Sequence, residues 1–509
     1  MTKTRRPRPA ASRSAASRSA VLPRSARRAT AAALALTGLL AAAACSGDPQ
    51  SARQVGDPAV TAEPVAISPS APGFGAGSAS ASASASGSNS GSASGSASGS
   101  ASGSASGSSG VVLPLTSDVT DRLDAAIKQV MSEASVPGVI VGLTTPDGSY
   151  QRAFGQADKV AGTPMSADMN MRIGSETKTF TATAVLRLVD QGKVGLDDPI
   201  SKYVGGVPGG DGITVRQLGE MRSGLFPYSS DPDFVNALIT DPNQVFTPDQ
   251  LLAYGYKHPA SFPPGSKFEY SNSNYILLGK LIEKVGGQPA DQFLKQQVFT
   301  PATLTGTVFP VDATFPDPHA RGYTDQTPTG ATTDATDWNP SWAWTAGAAI
   351  SNLADLQRWA KSLATGTLLN PATQAERLKT LPTGESGAGY GFGLFDNNGW
   401  IGHNGSLPGY ETVTVHLPQS QATLVVLLNT DVSYQGSEPS SLFAQAITQI
   451  VSPNNVYSIP PMATGSPSAS TSPSASVSPS SPSASQSAAP TTSPTVSGTA
   501  SNSPASVPA

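Results

Sequence analysis

Two low-complexity segments leave only the middle of this 509-residue chain able to form a hydrophobic core. Residues 75–110 are almost entirely Gly, Ser and Ala, and the chain beyond residue 460 is rich in Ser, Pro, Ala and Thr. Such compositions bury too little apolar surface to offset the entropy lost on ordering. The sequence therefore predicts four regions: a signal segment with its acceptor cysteine (1–45), a disordered linker (46–113), one folded domain (114–458) and a disordered tail (459–509).

The N-terminal segment has the composition of a secretory signal. Nine Lys and Arg residues precede an Ala/Leu run over 29–44, which is too short and too rich in alanine for a comfortable membrane span. Cys45, the only cysteine, follows directly, and the segment resembles a bacterial lipoprotein signal, in which this thiol is acylated. Ordinary cleavage nearby, with a spare cysteine, is the alternative. The lipoprotein interpretation predicts an exported protein, held by its lipid alone at the outer face of the cytoplasmic membrane.

Charge and cysteine content exclude several classes of protein. Nine of the 31 Lys and Arg residues lie in 1–44, which leaves 22 against 35 Asp and Glu residues. The mature chain is therefore acidic and a poor candidate for nucleic-acid binding. A single cysteine excludes an internal disulfide, and the four histidines show no metal-ligand spacing. We expect no metal, no cofactor and no nucleic-acid partner, and we predict a monomer.

Hydrophobic periodicity predicts a sheet made from both ends of the folded domain. The predicted elements are a helix over 118–134, strands over 138–145 and 149–154, strands over 399–404, 412–417 and 422–429, and a helix over 439–451. The section between about 160 and 385 is predicted to form mostly short helices separated by Gly- and Pro-rich loops. An antiparallel sheet with a largely helical insertion is the economical fold.

The first candidate catalytic pair lies in the stretch 172–178, Arg-Ile-Gly-Ser-Glu-Thr-Lys. Ser175 and Lys178 stand three residues apart at the start of an apolar run, 180–189, that predicts a buried helix. Positions i and i+3 share a helix face, so the hydroxyl and the amine should meet. A neutral amine can take the proton of a nucleophilic serine. About one accidental Ser-x-x-Lys is expected in a domain of this composition, so the pair alone does not establish a site.

Two further groups of residues fit this pair. Tyr270 and Asn272 lie on a predicted loop before another helical run, where the tyrosine could aim at a nucleophile and Asn272 could bind a substrate amide. A turn tyrosine is the structural alternative. His403, Asn404 and Gly405, followed by Ser406, end a predicted strand, and the glycine would let a ligand approach closely. A structural histidine is the alternative there.

In this order, Ser175-x-x-Lys178, Tyr270-x-Asn272 and His403-x-Gly405 resemble the three motifs of penicillin-recognising serine hydrolases. The similarity is nearest to D-alanyl-D-alanine carboxypeptidases, class C β-lactamases and related esterases. Flanking segments that also agree are 213–216, 223–225, 342–347, 390–393 and 409–410. The resemblance covers about residues 116–455. It implies an α/β (α+β), beta-lactamase/transpeptidase-like fold, with an antiparallel sheet from both chain ends flanked by helices and a largely helical inserted subdomain.

The resemblance also implies a role for each matching residue. Ser175 would form an acyl-enzyme, Lys178 would take its proton, and Tyr270 would protonate the leaving group. The backbone N–H groups of Ser175 and Ser406 would form the oxyanion hole. The implied substrate-binding residues are Asn272, Trp342, His403, Asn404, Gly405 and Ser406.

The third motif departs from the family pattern, which commonly reads Lys-Thr-Gly or His-Thr-Gly. Asn404 replaces the threonine and removes one expected hydroxyl bond to a substrate carboxylate, although its amide can donate from a longer arm. Arg222 and Arg321 are candidate substitutes for carboxylate binding. The sequence does not choose between them.

The sequence therefore predicts an exported serine hydrolase, foremost a D-alanyl-D-alanine carboxypeptidase on peptidoglycan stem peptides. Its expected ligand is a peptidoglycan-derived peptide or a β-lactam. A class C-like β-lactamase or a broad esterase on the same scaffold is one alternative. A catalytically idle, ligand-binding cell-surface protein is another, which the joint presence of Ser175, Lys178 and Tyr270 disfavours.

The lipoprotein interpretation makes a direct prediction about Cys45. In a bacterial host the protein should partition with membranes and incorporate labelled fatty acid, because a thioether-linked lipid would be its anchor. Cys45→Ala should lose the label and be released or mislocalised. Equal labelling of both forms would contradict the interpretation.

Overall fold

The structure is a computed structural model that describes residues 112–459. The predicted signal segment, the lipidation of Cys45, and nearly all of the predicted linker and tail lie outside the described residues and stay predictions. None of the helices within 112–459 combines the length and the apolar character that crossing a bilayer requires.

Helices and strands alternate unevenly along the described chain. The α-helices found there are α1 (Ser117–Glu133), α2 (Thr177–Asp190), α3 (Val215–Gly219), α4 (Pro232–Thr240), α5 (Pro248–Tyr256), α6 (Asn272–Gly286), α7 (Ala290–Leu294), α8 (Trp344–Gly347), α9 (Leu353–Thr365), α10 (Pro371–Arg377) and α11 (Pro439–Val451). The strands are β1 (Gly138–Thr145), β2 (Gly148–Asp158), β3 (Thr163–Pro164), β4 (Met171–Arg172), β5 (Tyr323–Thr324), β6 (Thr333–Asp334), β7 (Ile350–Ser351), β8 (Leu381–Pro382), β9 (Ala388–Tyr390), β10 (Phe395–Asn397), β11 (Trp400–Leu407), β12 (Tyr410–Leu417) and β13 (Ala422–Leu428).

One antiparallel sheet joins the two ends of the domain. Its strand order is β3-β2-β1-β13-β12-β11-β10-β9-β8. The N-terminal hairpin meets the C-terminal strands where β1 pairs with β13, with Val141 opposite Val426. The chain between β3 and β8 forms the mostly helical insertion. The predicted fold, an antiparallel sheet from both chain ends flanked by helices, is confirmed.

The two faces of the sheet bury different side chains, because side chains alternate along a strand. Val141 of β1 packs on one face in a cluster with Leu123 of α1 and Phe443 of α11. Its neighbour Ile140 points the other way, into a larger cluster that includes Trp359 of α9 and the helices of the insertion. The sheet therefore separates two cores, and the insertion packs on only one of them.

Helix α2 is buried on nearly every side, as the apolar run predicted. Phe180 packs against Trp359 with ring centroids 4.5 Å apart and meets Phe299 edge-on at 5.1 Å. The threonines of α2 are buried as well, and their hydroxyls donate to backbone carbonyls. The Thr181 hydroxyl, for example, donates to the Thr345 carbonyl at 2.8 Å. Buried polar groups are tolerated when they are hydrogen-bonded. The helix is thus held firmly, and so are the residues at its N-terminus.

Contacts of the domain extend to both ends of the described residues. The Leu113 N–H donates to the Val451 carbonyl at 2.8 Å. Beyond α11, Tyr457 is 1% exposed, and the indole N–H of Trp400 donates to the Asn455 carbonyl at 2.7 Å. The irregular segment after the last helix is therefore part of the core.

These contacts set where the chain can be trimmed. A chain reduced to residues 112–459 should unfold at the temperature of the full chain. One reduced to 117–451 should unfold several degrees lower, because it loses Tyr457, and removing a large buried aromatic side chain typically costs about 3–5 kcal/mol. Scanning calorimetry of the three forms makes the comparison. A lower melting temperature for 112–459 itself would show that one of the outer segments stabilises the domain.

Candidate active site

Ser175 lies in a 3₁₀ turn, Gly174–Glu176, that leads directly into α2. The turn follows β4, and the Ile173 N–H just before it donates to the Ala349 carbonyl at 3.0 Å. The first N–H groups of a helix have no intrahelical partner and carry partial positive charge. Ser175 therefore stands where negative charge on an attacked carbonyl oxygen is stabilised.

Lys178 meets Ser175 one turn further along. Its Nζ lies 2.8 Å from the Ser175 Oγ and donates to the Ala346 carbonyl of α8 at 2.7 Å. The side chain is fully buried, and burial lowers its pKa well below the usual value. A neutral amine keeps an N–H for Ala346 and has a lone pair for the serine hydroxyl proton. The predicted meeting of hydroxyl and amine is confirmed.

Tyr270 lies against this pair, on the loop before α6, as predicted. The Lys178 Nζ sits 4.8 Å from the centroid of its ring. The phenol oxygen is buried and has no hydrogen bond of ordinary geometry within the described chain. Burial raises the pKa of Tyr270 well above its usual value, and the neighbouring Ser175 hydroxyl offsets only part of that rise. Tyr270 therefore holds its proton in the resting protein and can donate it.

Strand β11 has one open edge beside these residues. β10 pairs with it only as far as Gly402, opposite Phe395, whereas β12 pairs with it along to Leu407. In an antiparallel ladder, alternate residues direct their N–H groups to the same neighbour. The N–H groups of Asn404 and Ser406 therefore point to the edge that β10 leaves open.

Two glycines allow the turn Gly174–Glu176, here called the nucleophile turn, to contact the open edge of β11. Gly174 has φ +52°, and a Cβ on it would lie 2.7 Å from the Ser406 nitrogen. A Cβ on Gly405 would lie 2.0 Å from the Ile173 carbonyl oxygen. A side chain at either position would force the two backbones apart. This approach brings the Ser406 nitrogen beside the Gly174–Glu176 turn, as an oxyanion hole shared with Ser175 requires.

His403 is buried and neutral. It lies within β11 rather than at its end, because the predicted strand 399–404 continues to Leu407. Its Nδ1 lies 2.5 Å from the Asn404 carbonyl, which can only accept, so Nδ1 carries the proton and the Tyr390 hydroxyl, 3.2 Å from Nε2, donates. Burial lowers the pKa of His403 to about 3. His403 can contact a substrate but brings it no positive charge at neutral pH.

The groups predicted to bind a substrate carboxylate are already bonded within the protein. The Asn404 amide donates to Oε2 of Glu438 at 2.9 Å. Arg222 donates to a β8 carbonyl at 2.6 Å, and Arg321 pairs with Asp334 at 2.8 Å. None of these contacts involves the nucleophile or its base. The substrate contact predicted for Asn404 stays a prediction.

The other two predicted substrate-binding side chains lie on the insertion. Asn272 is the first residue of α6, and its Nδ2 donates to the Ser229 hydroxyl at 3.0 Å. Trp342 ends a short 3₁₀ helix, Pro340–Trp342, and its carbonyl accepts from the Tyr228 hydroxyl at 2.6 Å. Its half-buried ring lines a small cavity. Both side chains stay predicted substrate contacts.

Three residues beside the site were not predicted as site residues. Tyr390 bonds to His403, Glu438 bonds to Asn404, and Arg172 lines a cavity with Trp342. Tyr390 lies in a flanking segment that the family resemblance had picked out. No signal in the sequence links Glu438 to Asn404, from which it is 34 residues distant. Within 112–459, no group of three or more His, Cys, Asp or Glu side chains is placed to hold a metal ion.

Comparison with known proteins shows the family of this chain. The profile of the family described as Beta-lactamase matches residues 123–445. Protein flp of Staphylococcus aureus is 27% identical over 342 residues, which are 63% of this chain and 65% of that protein. A putative D-alanyl-D-alanine carboxypeptidase of Escherichia coli O157:H7 is 32% identical over 206 residues, 37% of this chain and 46% of that protein. The chain thus spans less than two thirds of each of these relatives.

A solved structure shows the same fold. The crystal structure of a D-stereospecific amidohydrolase from Streptomyces sp. superposes with a TM-score of 0.59 and 28% sequence identity. The match covers 65% of this chain and 97% of that one. Nearly the whole of that enzyme therefore has its counterpart in the folded domain described above.

The burial of Lys178 predicts the shape of the pH profile. Because only the neutral amine can take the serine proton, kcat/KM for a nitrophenyl ester should rise with pH as Lys178 deprotonates. The rise should be complete well below the free lysine pKa of about 10.4, since burial lowers the folded value. Lys178→Ala should remove this limb and lower kcat/KM by several orders of magnitude.

A histidine variant is the matched control for that profile. His258 is half-buried and bonded to Asp231 rather than to Ser175 or Lys178. His258→Gln should therefore leave the rise of kcat/KM with pH in place. If the rise of kcat/KM with pH shifts in His258→Gln and persists in Lys178→Ala, Lys178 is not the base.

Proposed function

Because this chain belongs to the beta-lactamase family of serine hydrolases, we propose that it hydrolyses amide bonds next to D-amino acids through an acyl-enzyme on Ser175. The observation that carries the proposal is the 2.8 Å approach of the buried Lys178 amine to the Ser175 hydroxyl. The foremost candidate is a D-alanyl-D-alanine carboxypeptidase that acts on peptidoglycan stem peptides outside the cytoplasmic membrane. The activities for which the Escherichia coli and Streptomyces relatives are named support a D-configured substrate.

Acylation follows from the positions of three side chains. The Ser175 oxygen attacks the acyl carbon while its proton passes to the neutral Lys178 amine. Tyr270 gives its phenol proton to the leaving amine, and the lysine ammonium, beside the same ring, restores it. Lys178 and Tyr270 then have the same protons as before the step, and the net change is one proton moved from Ser175 to the leaving amine.

The tetrahedral intermediate needs donors that are in place before the reaction. The N–H of Ser175 at the start of α2 and the N–H of Ser406 on the open edge of β11 meet this requirement. Each such donor is typically worth about 10²–10³ in rate. Hydrolysis of the acyl-enzyme reverses the roles, with water taking the place of the leaving group and Lys178 accepting its proton through Tyr270.

A second candidate is a D-amino-acid amidase or esterase whose leaving group is uncharged. The observation that favours it is the state of the third motif, where His403 is neutral and the Asn404 amide is bonded to Glu438. Arg222 and Arg321 are bonded elsewhere. A leaving group with a free carboxylate would find little positive charge in these positions, whereas an amide or ester would not need it.

Labelling by a fluorescent penicillin tests the nucleophile. The protein should form a covalent adduct, and Ser175→Ala should form none. Tyr270→Phe should label more slowly by about 10²–10⁴, the usual worth of a positioned proton transfer. We expect the adduct to persist for minutes or longer, because Tyr270 holds its proton firmly and, within the described residues, no dedicated base for the attacking water stands out other than Tyr270 and Lys178. No adduct with any acyl donor, with Ser175 intact, would leave only an idle binder.

A matched substrate set separates the candidates. It comprises an N-acyl-D-Ala-D-Ala peptide, the same peptide as its C-terminal amide, a penicillin and a nitrophenyl ester. Faster release of D-alanine from the free acid than of D-alanine amide from its amide supports the carboxypeptidase, and the reverse order supports the amidase. Rapid penicillin turnover without D-alanine release would move the assignment to β-lactamase, and cleavage of the ester alone would move it to esterase.

A further inference from the structure

Arg172 is a buried guanidinium without an acidic partner. It is 2% exposed, and its Nη2 donates to backbone carbonyls that include those of Thr336 at 3.2 Å and Trp338 at 3.3 Å. Its Nε and Nη1 are buried and bond to nothing in residues 112–459. The carboxylate of Asp337, whose charge acts on it, is 83% exposed and lies 3.9 Å from Arg321. The guanidinium carbon lies 5.0 Å from the centroid of the Phe315 ring, which stabilises the charge but gives Nε and Nη1 no acceptor. Buried donors without an acceptor are costly.

A small cavity lies against this guanidinium. Its other walls are almost wholly apolar and include Trp338, Trp342, Leu407 and Pro408. The free volume of about 10 Å³ is enough for one water-sized group, which is the size of one carboxylate oxygen. Charge-assisted hydrogen bonds from arginine to carboxylate are among the strong ones. The cavity therefore has room for one carboxylate oxygen beside the guanidinium and none for the aliphatic arm, which would lie outside it against residues such as Trp342 and Leu407.

The cavity lies on the acyl side of the scissile bond. Tyr270, the proposed proton donor to the leaving group, lies beside His403, with ring centroids 6.1 Å apart. Ser406 follows His403 along β11, and Leu407 and Pro408 lie beyond it. A substrate whose carbonyl oxygen is at Ser406 and whose leaving group is at Tyr270 therefore extends its acyl portion toward Leu407.

We propose that Arg172 and this cavity form a subsite for a carboxylate carried by the acyl portion of the substrate, on an arm that lies along Trp342 and Leu407. The inference rests on the proposed acyl-enzyme function and adds the class of acyl donor that the protein selects. The overall charge of the chain does not produce such a preference, because an acidic protein repels anionic substrates.

Two esters that differ in one group test the subsite in the unmodified protein. Both are nitrophenyl esters of D-alanine, and the N-acyl arm ends in a carboxylate in one and in the isosteric primary amide in the other. We expect kcat/KM to favour the carboxylate by roughly 10- to 100-fold, the usual worth of a hydrogen bond to a charged group. The preference should persist at raised salt, because a buried pair is screened little. Equal rates, or a preference for the amide, would overturn the proposal.

Variants assign the preference to one arginine. Arg172→Gln should lose it, Arg172→Lys should keep part of it, and Arg122→Gln should keep all of it, since Arg122 lies on α1 with its side chain 52% exposed. The ratio of the two rates does not depend on the folded fraction, so it stays readable if Arg172→Gln is less stable. An unchanged ratio in Arg172→Gln would remove Arg172 from the subsite.

The two proposals fail in different ways. If neither ester acylates Ser175, the proposed acyl-enzyme function is wrong. If both esters acylate it at equal rates, that function holds and only the carboxylate subsite is wrong.

Discussion

The burial of one amine is the interaction on which the chemistry of this protein depends. An exposed lysine keeps its proton at neutral pH, and Ser175 would then have no base. Lys178 is enclosed by α2 itself, by the Ala346 carbonyl of α8 and by the rings of Tyr270 and Tyr275, at 4.8 and 5.6 Å. No carboxylate within the described residues pairs with it, so burial lowers its pKa without an opposing ion pair. The nearly all-round burial of α2 is thus a functional requirement as well as a structural one.

The site lies where the sheet meets the helical insertion, and both parts supply it. The sheet contributes the open edge of β11, which exists because β10 stops pairing at Gly402. The insertion contributes Tyr270, and the turn Gly174–Glu176 contributes Ser175. Gly174 and Gly405 permit the approach of turn and strand. A side chain at either glycine would force the turn and the strand apart and so separate Ser175 from Ser406.

The charges around the third motif are arranged differently from what its residues suggest. Burial keeps His403 neutral and raises the pKa of Glu438 and of its neighbour Glu411. Glu438 accepts from Asn404, which explains how an asparagine is accommodated at this position. The edge that faces Ser175 therefore offers backbone N–H groups more than side-chain charge. Arg172, three residues before Ser175, is a buried cation without an acidic partner.

The sequence by itself determined the local geometry and the fold class. The i, i+3 spacing brings Ser175 and Lys178 together through helix geometry alone. The hydrophobic pattern located the buried strand β1 and the helix α11 at their observed bounds. What it could not determine depends on residues far apart in the chain. The bond from Asn404 to Glu438, the neutral state of His403, the missing partner of Arg172 and the extension of β11 to Leu407 all follow from long-range packing. Hydrogen-bond partners and pKa values depend on which groups the fold brings within a few ångströms of each other and on how far it removes them from water. The residue pattern of a single segment contains no information about either.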